Sequence, residues 1–245
     1  MNRTKIEWTE STWNPITGCD RISNGCDHCY AERMAVRLKA MGSSRYRNGF
    51  DLTIHEDLFD APLRWKQPRV IFVNSMSDLF HESIPPTAVM KIFATMNKAL
   101  WHTFQILTKR PMHTLSLLDS LVWTSNIWMG VSVESYRYTH RIEALRRIPA
   151  EVRFVSFEPL LSAIPASTSL ERIRWAIIGG ESGPGARPMK PEWATELRKL
   201  CRQYGTAFFF KQWGGVNKKA AGRMLEGRTW DEMPTNPDSV QQLAL

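Results

Sequence analysis

Cysteine is scarce, with four residues in 245, far too few for a disulfide scaffold of this length. Long apolar runs are missing as well. The longest, such as Ala207-Phe208-Phe209-Phe210, fall far short of the roughly 20 residues a membrane span needs. Met1-Asn2-Arg3-Thr4-Lys5 leads into polar sequence without an apolar leader core, which predicts a cytoplasmic protein with no membrane partner. Low-complexity tracts are absent, and no internal repeat appears beyond a strand–helix rhythm. What remains is an ordinary globular composition, 43% apolar and 23% charged, in which 32 Lys and Arg against 24 Asp and Glu leave a net charge of +8. That balance permits a polyanionic partner without requiring one. The basic clusters, Arg137, Arg141, Arg146 and Arg147 on one predicted helix and Lys218, Lys219, Arg223 and Arg228 near the C-terminus, read as solvated faces.

After residue 69, short β-branched or aromatic runs alternate with helical patterns. The runs are Val70–Val73, Phe104–Leu107, Ile127–Val133, Arg153–Phe157, Trp175–Ile178 and Ala207–Phe210, with starts 22 to 34 residues apart. That spacing predicts crossover helices, and so parallel strands in one α/β domain over 1–234. Several runs are apolar on successive residues, as strands covered on both faces must be. A seventh strand is expected around Thr12–Ile16 and a helix over Ala31–Met41; residues 45–69 read as irregular, and 235–245 as a flexible tail.

Polar residues recur where these strands end: Asn74, Ser75, Ser77 and Asp78; Thr108, Lys109 and Arg110; Ser132 and Glu134; Glu158; Gly179, Gly180, Glu181 and Ser182; Lys211 and Gln212. Parallel strands deliver all of these to one edge, where α/β folds bind ligands. Three of the four cysteines, Cys19, Cys26 and Cys29, fall within eleven residues, which in a cytoplasmic chain points to metal binding. Three thiolates without a nearby fourth leave a coordination position open for chemistry. His28 is a poor fourth ligand because it lies between two cysteines. Cys201, in the helical stretch Glu196–Cys201, reads as a small buried hydrophobe.

The segment Trp13-Asn14-Pro15-Ile16-Thr17-Gly18-Cys19, followed by six residues and then Cys26-Asp27-His28-Cys29-Tyr30, resembles the radical S-adenosylmethionine enzymes. It is most similar to an uncharacterised phage-associated branch of them over roughly residues 4–234. The spacing of six then two replaces the usual three then two, and the aromatic Tyr30 follows the third cysteine instead of preceding it. The resemblance implies a partial parallel βα barrel. It implies that Cys19, Cys26 and Cys29 ligate a 4Fe-4S cluster whose fourth iron takes S-adenosyl-L-methionine, generating a 5'-deoxyadenosyl radical with electrons from an external donor. By the same resemblance Asn74, Ser75 and Asp78 take the place of methionine-amino contacts, Ser132 and Glu134 of ribose contacts, and Gly179, Gly180 and Glu181 of close backbone and polar contacts; Glu158 joins them as cofactor-binding. Lys109, Arg110 and Lys211 are the candidate catalytic cations, with Arg187 beside them, suited to a nucleotide, nucleic-acid or acidic substrate. Trp13 and Trp213 could stack on a base, although core packing suits most of the ten tryptophans better. Two further readings stay open: a zinc-stabilised nucleic-acid-binding protein without radical chemistry, and an iron–sulfur electron carrier.

Overall fold

The computed structural model describes residue 4 and residues 6–234. Its strands are β1 (Ser11–Trp13), β2 (Ile16–Thr17), β3 (Thr53–Ile54), β4 (Val70–Val73), β5 (Thr103–Thr108), β6 (Ile127–Ser132), β7 (Arg153–Phe157), β8 (Trp175–Gly179) and β9 (Ala207–Gln212). Its principal helices are α1 (Tyr30–Ala40), α2 (Pro86–Lys98), α3 (Pro111–Ser116), α4 (His140–Arg146) and α5 (Pro191–Tyr204). Seven strands form one sheet in the order β1-β4-β5-β6-β7-β8-β9, every pair parallel. The sheet curls into a half-barrel, a partial parallel βα barrel as expected.

Three helices begin with proline, at Pro86, Pro111 and Pro191. Proline suits a first helical position, where its missing N–H has no intrahelical partner. Helix α5 ends at Gly205, whose φ of 64° is the left-handed cap glycine adopts without strain.

Side-chain alternation divides the sheet into two faces. Ile71, Val73, Phe104, Ile106, Met129, Val131, Val155, Phe157, Ala176, Ile178, Phe208 and Phe210 pack with α2, α4 and α5 in the main core. The intervening residues Phe72, Trp128, Phe154, Trp175, Ile177 and Phe209 form a second cluster on the concave face, closed by Trp8, whose ring lies 4.7 Å from that of Phe72. Gly130 is part of this face: a Cβ there would fall 2.4 Å from the Phe154 ring, so glycine lets that ring cross the barrel floor.

The expected seventh strand is instead two. Pro15 has no N–H to donate, so the chain leaves the sheet after Trp13, and Ile16–Thr17 pairs antiparallel with Thr53–Ile54 inside the segment read as irregular. The basic helix is shorter than expected: Arg137 lies in a separate 3-10 turn, and α4 ends at Arg146. Its solvated reading fails at Arg141, which is buried at 4% exposure. The tail reading falls on 235–245, outside the described residues. No helix among those described is long and apolar enough to cross a membrane.

Candidate active site

The concave face changes character toward the C-terminal edge. Continuing the same alternation, Phe72 is followed by Asn74, Leu107 by Lys109, Trp128 and Gly130 by Ser132, Phe154 by Ser156 and Glu158, and Phe209 by Lys211. These residues surround a cavity of about 440 Å³ with an apolar lower wall that includes Ile6, Trp8, Phe72 and Leu107. Cys19, Cys26 and Cys29 open onto it. Of the expected site residues, Asn74, Ser75, Asp78, Lys109, Arg110, Ser132, Glu158, Gly180, Glu181 and Lys211 line this cavity together with the three cysteines. Glu134 and Gly179 do not; Glu134 is fully buried behind the wall, and a Cβ on Gly179 would fall 2.5 Å from Glu158 Oε1. Cys201 is buried on α5 in the main core.

The cysteine loop is fastened to the strand ends by three polar clusters. At the first, Glu134 Oε1 accepts from Ser23 Oγ at 2.5 Å and pairs with Lys109 Nζ at 2.6 Å, while Oε2 accepts from Arg141 at 2.8 Å. Burial opposes ionisation of Glu134, but Lys109 and Arg141 outweigh it and hold the carboxyl below its ordinary range. Lys109 Nζ also lies 3.4 Å from Cys26 Sγ. Burial of Cys26 is likewise outweighed, by the Lys109 charge and hydrogen bonds from the Ser23 region, and its thiol sits below its usual value.

At the second cluster, Arg110 reaches Cys19 Sγ at 3.5 Å, Asp78 at 3.2 Å and Glu82 at 2.7 Å. Burial and the Asp78 carboxylate nevertheless push the Cys19 thiol up to about 11. Asp78 is itself saturated by Thr108 Oγ1 at 2.6 Å and the Lys109 N–H at 3.0 Å. At the third, Glu181 takes Arg187 at 2.5 Å and His28 Nδ1 at 2.9 Å, and Arg187 continues to Asp27 and the carbonyl of Asn24. Burial raises the Glu181 carboxyl, but Arg187 and His28 together bring it down to about 2.

Lys109 and Arg110 therefore face the cysteine loop. Lys211 faces the cavity from the other side, paired with Glu158 at 3.0 Å, and Ser156 Oγ donates to the same carboxylate at 3.2 Å. Asn74 has φ of 57°, and its Oδ1 accepts from the Ile16 N–H, leaving Nδ2 buried without a partner among the described residues. Tyr30, the first residue of α1, donates its hydroxyl to the Ser75 carbonyl and ties that helix to the end of β4. Trp13 packs in the main core against Phe104, and the half-buried Trp213 packs on its margin against Phe210.

Sequence reasoning missed Ser23, Arg141 and the latch roles of His28 and Arg187, which depend on partners more than a hundred residues away or on a buried helix face. Ser156 was findable by the period of two on β7, and Gln212, named above as a strand-end residue, does line the cavity.

The donor set fits an iron–sulfur cluster. The three thiols are free of disulfides and half-buried, and two accept hydrogen bonds from cations. Among the described residues no three His, Cys, Asp or Glu side chains converge on a point that one ion could occupy. A cluster asks for less convergence, since each thiolate meets a different iron.

A family model described as "Protein of unknown function (DUF5131)" matches residues 3–234. No curated protein matches the chain. Among solved structures, a cysteine-to-serine mutant of spore photoproduct lyase is similar at 16% identity and a TM-score of 0.53, covering 83% of this chain and 63% of that one. A double mutant of that lyase with bound AdoMet and dinucleoside spore photoproduct is similar at 14% identity and a TM-score of 0.47, covering 79% of this chain and 60% of the other. The chain thus spans less than two thirds of the length of the structures it matches, and the likeness concerns the fold.

Proposed function

The chain belongs to the DUF5131 family, whose description leaves its function open, and on that premise we propose that it is an iron–sulfur radical S-adenosylmethionine enzyme acting on a nucleotide-like, nucleic-acid or acidic substrate. One observation carries the reading: Cys19, Cys26 and Cys29 open onto the same half-barrel cavity as the polar ends of β4 through β9. Bound there, a 4Fe-4S cluster with S-adenosyl-L-methionine supplies a 5'-deoxyadenosyl radical, with the electron delivered by an external donor.

The protein's own residues bind and shield. Cys19, Cys26 and Cys29 are the cluster ligands. Asn74, Ser75, Ser132, Gly180 and Glu181 offer polar and backbone contacts to the cofactor around the rim, and the unpartnered Nδ2 of Asn74 supplies a donor whose burial without a partner costs about 1–3 kcal/mol. Lys211 and Glu158, across the cavity, are the substrate-facing pair. The apolar wall of Trp8, Phe72 and Leu107 suits the face of a planar ring and excludes water from a reactive site. At about 440 Å³ the cavity falls within the usual range for small-molecule and cofactor sites.

Anaerobic reconstitution followed by iron, sulfide and zinc analysis tests the reading. About four irons with matching sulfide per chain, lost in Cys26→Ala, is the expected result. A colourless protein carrying about one zinc per chain would instead support the zinc-stabilised binding protein.

A further inference from the structure

Lys109 and Arg110 were expected at the mouth as substrate grips, yet their bonds run to the cysteine loop. Lys109 Nζ is bonded to Glu134 at 2.6 Å and to Cys26 Sγ at 3.4 Å. Arg110 spends its guanidinium on Asp78, Glu82, the Asp20 carbonyl and Cys19 Sγ. The Cys29 thiol has no side-chain hydrogen-bond partner among the described residues. Two of three cluster thiolates would therefore sit under cationic N–H donors and the third would not.

We infer that Lys109, held in place by the buried Glu134, is a positioning residue that raises the reduction potential of the cluster through its charge and its hydrogen bond to Cys26, with Arg110 acting alike on Cys19. This rests on the cluster-binding reading above. The physical reason is that reduction adds negative charge to the cluster and its thiolate sulfurs. A fixed cation and a donor aimed at sulfur stabilise the reduced form more than the oxidised one. Lys109 is only 20% exposed along its side chain and Glu134 not at all, so solvent screens the interaction weakly.

The network also sets the sign for each member. Removing the Lys109 charge takes a cation from beside Cys26, so the potential falls. Removing the Glu134 charge unmasks Lys109 and Arg141, so it rises. A network that merely held the loop in shape would not give opposite signs.

The test is potentiometry followed by electron paramagnetic resonance on anaerobically reconstituted wild type, Lys109→Met, Lys109→Arg and Glu134→Gln, with iron content measured on each. Lys199→Met, on the exposed face of α5, controls for net charge. The expected result is a lower midpoint in Lys109→Met, near recovery in Lys109→Arg, a higher midpoint in Glu134→Gln and no change in Lys199→Met. Loaded variants with unchanged midpoints, or shifts of the same sign in Lys109→Met and Glu134→Gln, would overturn the inference. Loss of iron from both variants while wild type stays loaded would also overturn it, by assigning the network a purely structural role. Failure of wild type to bind iron would defeat the cluster reading itself.

Discussion

Gly25 lies directly against Glu134: a Cβ at position 25 would fall 2.4 Å from Glu134 Cγ. The cysteine loop thus rests on a carboxylate from the end of β6, and only a residue without a side chain allows that approach. Gly25→Ala should lift the loop, break the Ser23–Glu134 bond and lower the iron bound after reconstitution. Because the loop can lift while Glu134 keeps its pairs with Lys109 and Arg141, the thermal midpoint should fall less than in Arg141→Met. Iron analysis beside thermal melts checks both parts.

Arg141 supplies one of three donors to the fully buried Glu134 and also bonds the Ser132 carbonyl at 2.8 Å. Removing one partner of a buried pair costs about 3–5 kcal/mol because the other charge stays behind. Arg141→Met should lose stability on that scale in urea unfolding, whereas Arg137→Met, at an exposed position outside the network, should change it by less than about 0.5 kcal/mol.

The Glu181 latch should weaken in acid. Its carboxyl, near 2 in the folded protein against an ordinary value of 4.5, is depressed by Arg187 and His28. Its contribution is therefore complete above the unfolded value and fades as pH falls from about 4.5 toward 2. At full strength a depression of this size corresponds to about 3.4 kcal/mol, an upper bound because Arg187 and His28 are each about a third exposed and solvent screens them. The stability gap between wild type and Glu181→Gln, read from urea curves at stepped pH, should be widest above pH 5 and shrink steadily below it.

Cys201 is fully buried, and burial together with Glu232 pushes its thiol up to about 12. A buried protonated thiol is a poor nucleophile. Iodoacetamide at pH 8 should label Cys26, whose thiol is lowered, fastest in native iron-free protein, reach the raised Cys19 thiol only slowly, and reach Cys201 only after denaturation, as time-resolved peptide mass mapping would show.

The parallel sheet was legible because its evidence is local: unbroken apolar runs such as Val70–Val73, set at crossover spacing, need only periodicity to interpret. The cysteine loop was legible for the same reason. Pro15 could have split the first strand in the reading, since proline removes a ladder donor, but Thr53–Ile54 carries no signal strong enough to claim Ile16–Thr17 as a partner. Glu134 and Lys109 show the harder limit. Both were singled out as polar strand ends, yet which way each turns depends on Ser23, Cys26 and Arg141, brought together only by the fold. Strand alternation puts a residue on a face; its partners decide whether it meets ligand or protein.

The radical-generating site proposed for the half-barrel joins the three cysteines to the cavity. It is tested most directly by incubating reconstituted protein anaerobically with dithionite and S-adenosyl-L-methionine and assaying 5'-deoxyadenosine by chromatography and mass spectrometry. Wild type should form deoxyadenosine, and Cys26→Ala none above background. Wild-type protein that holds its cluster yet yields no more deoxyadenosine than Cys26→Ala would contradict the proposed site.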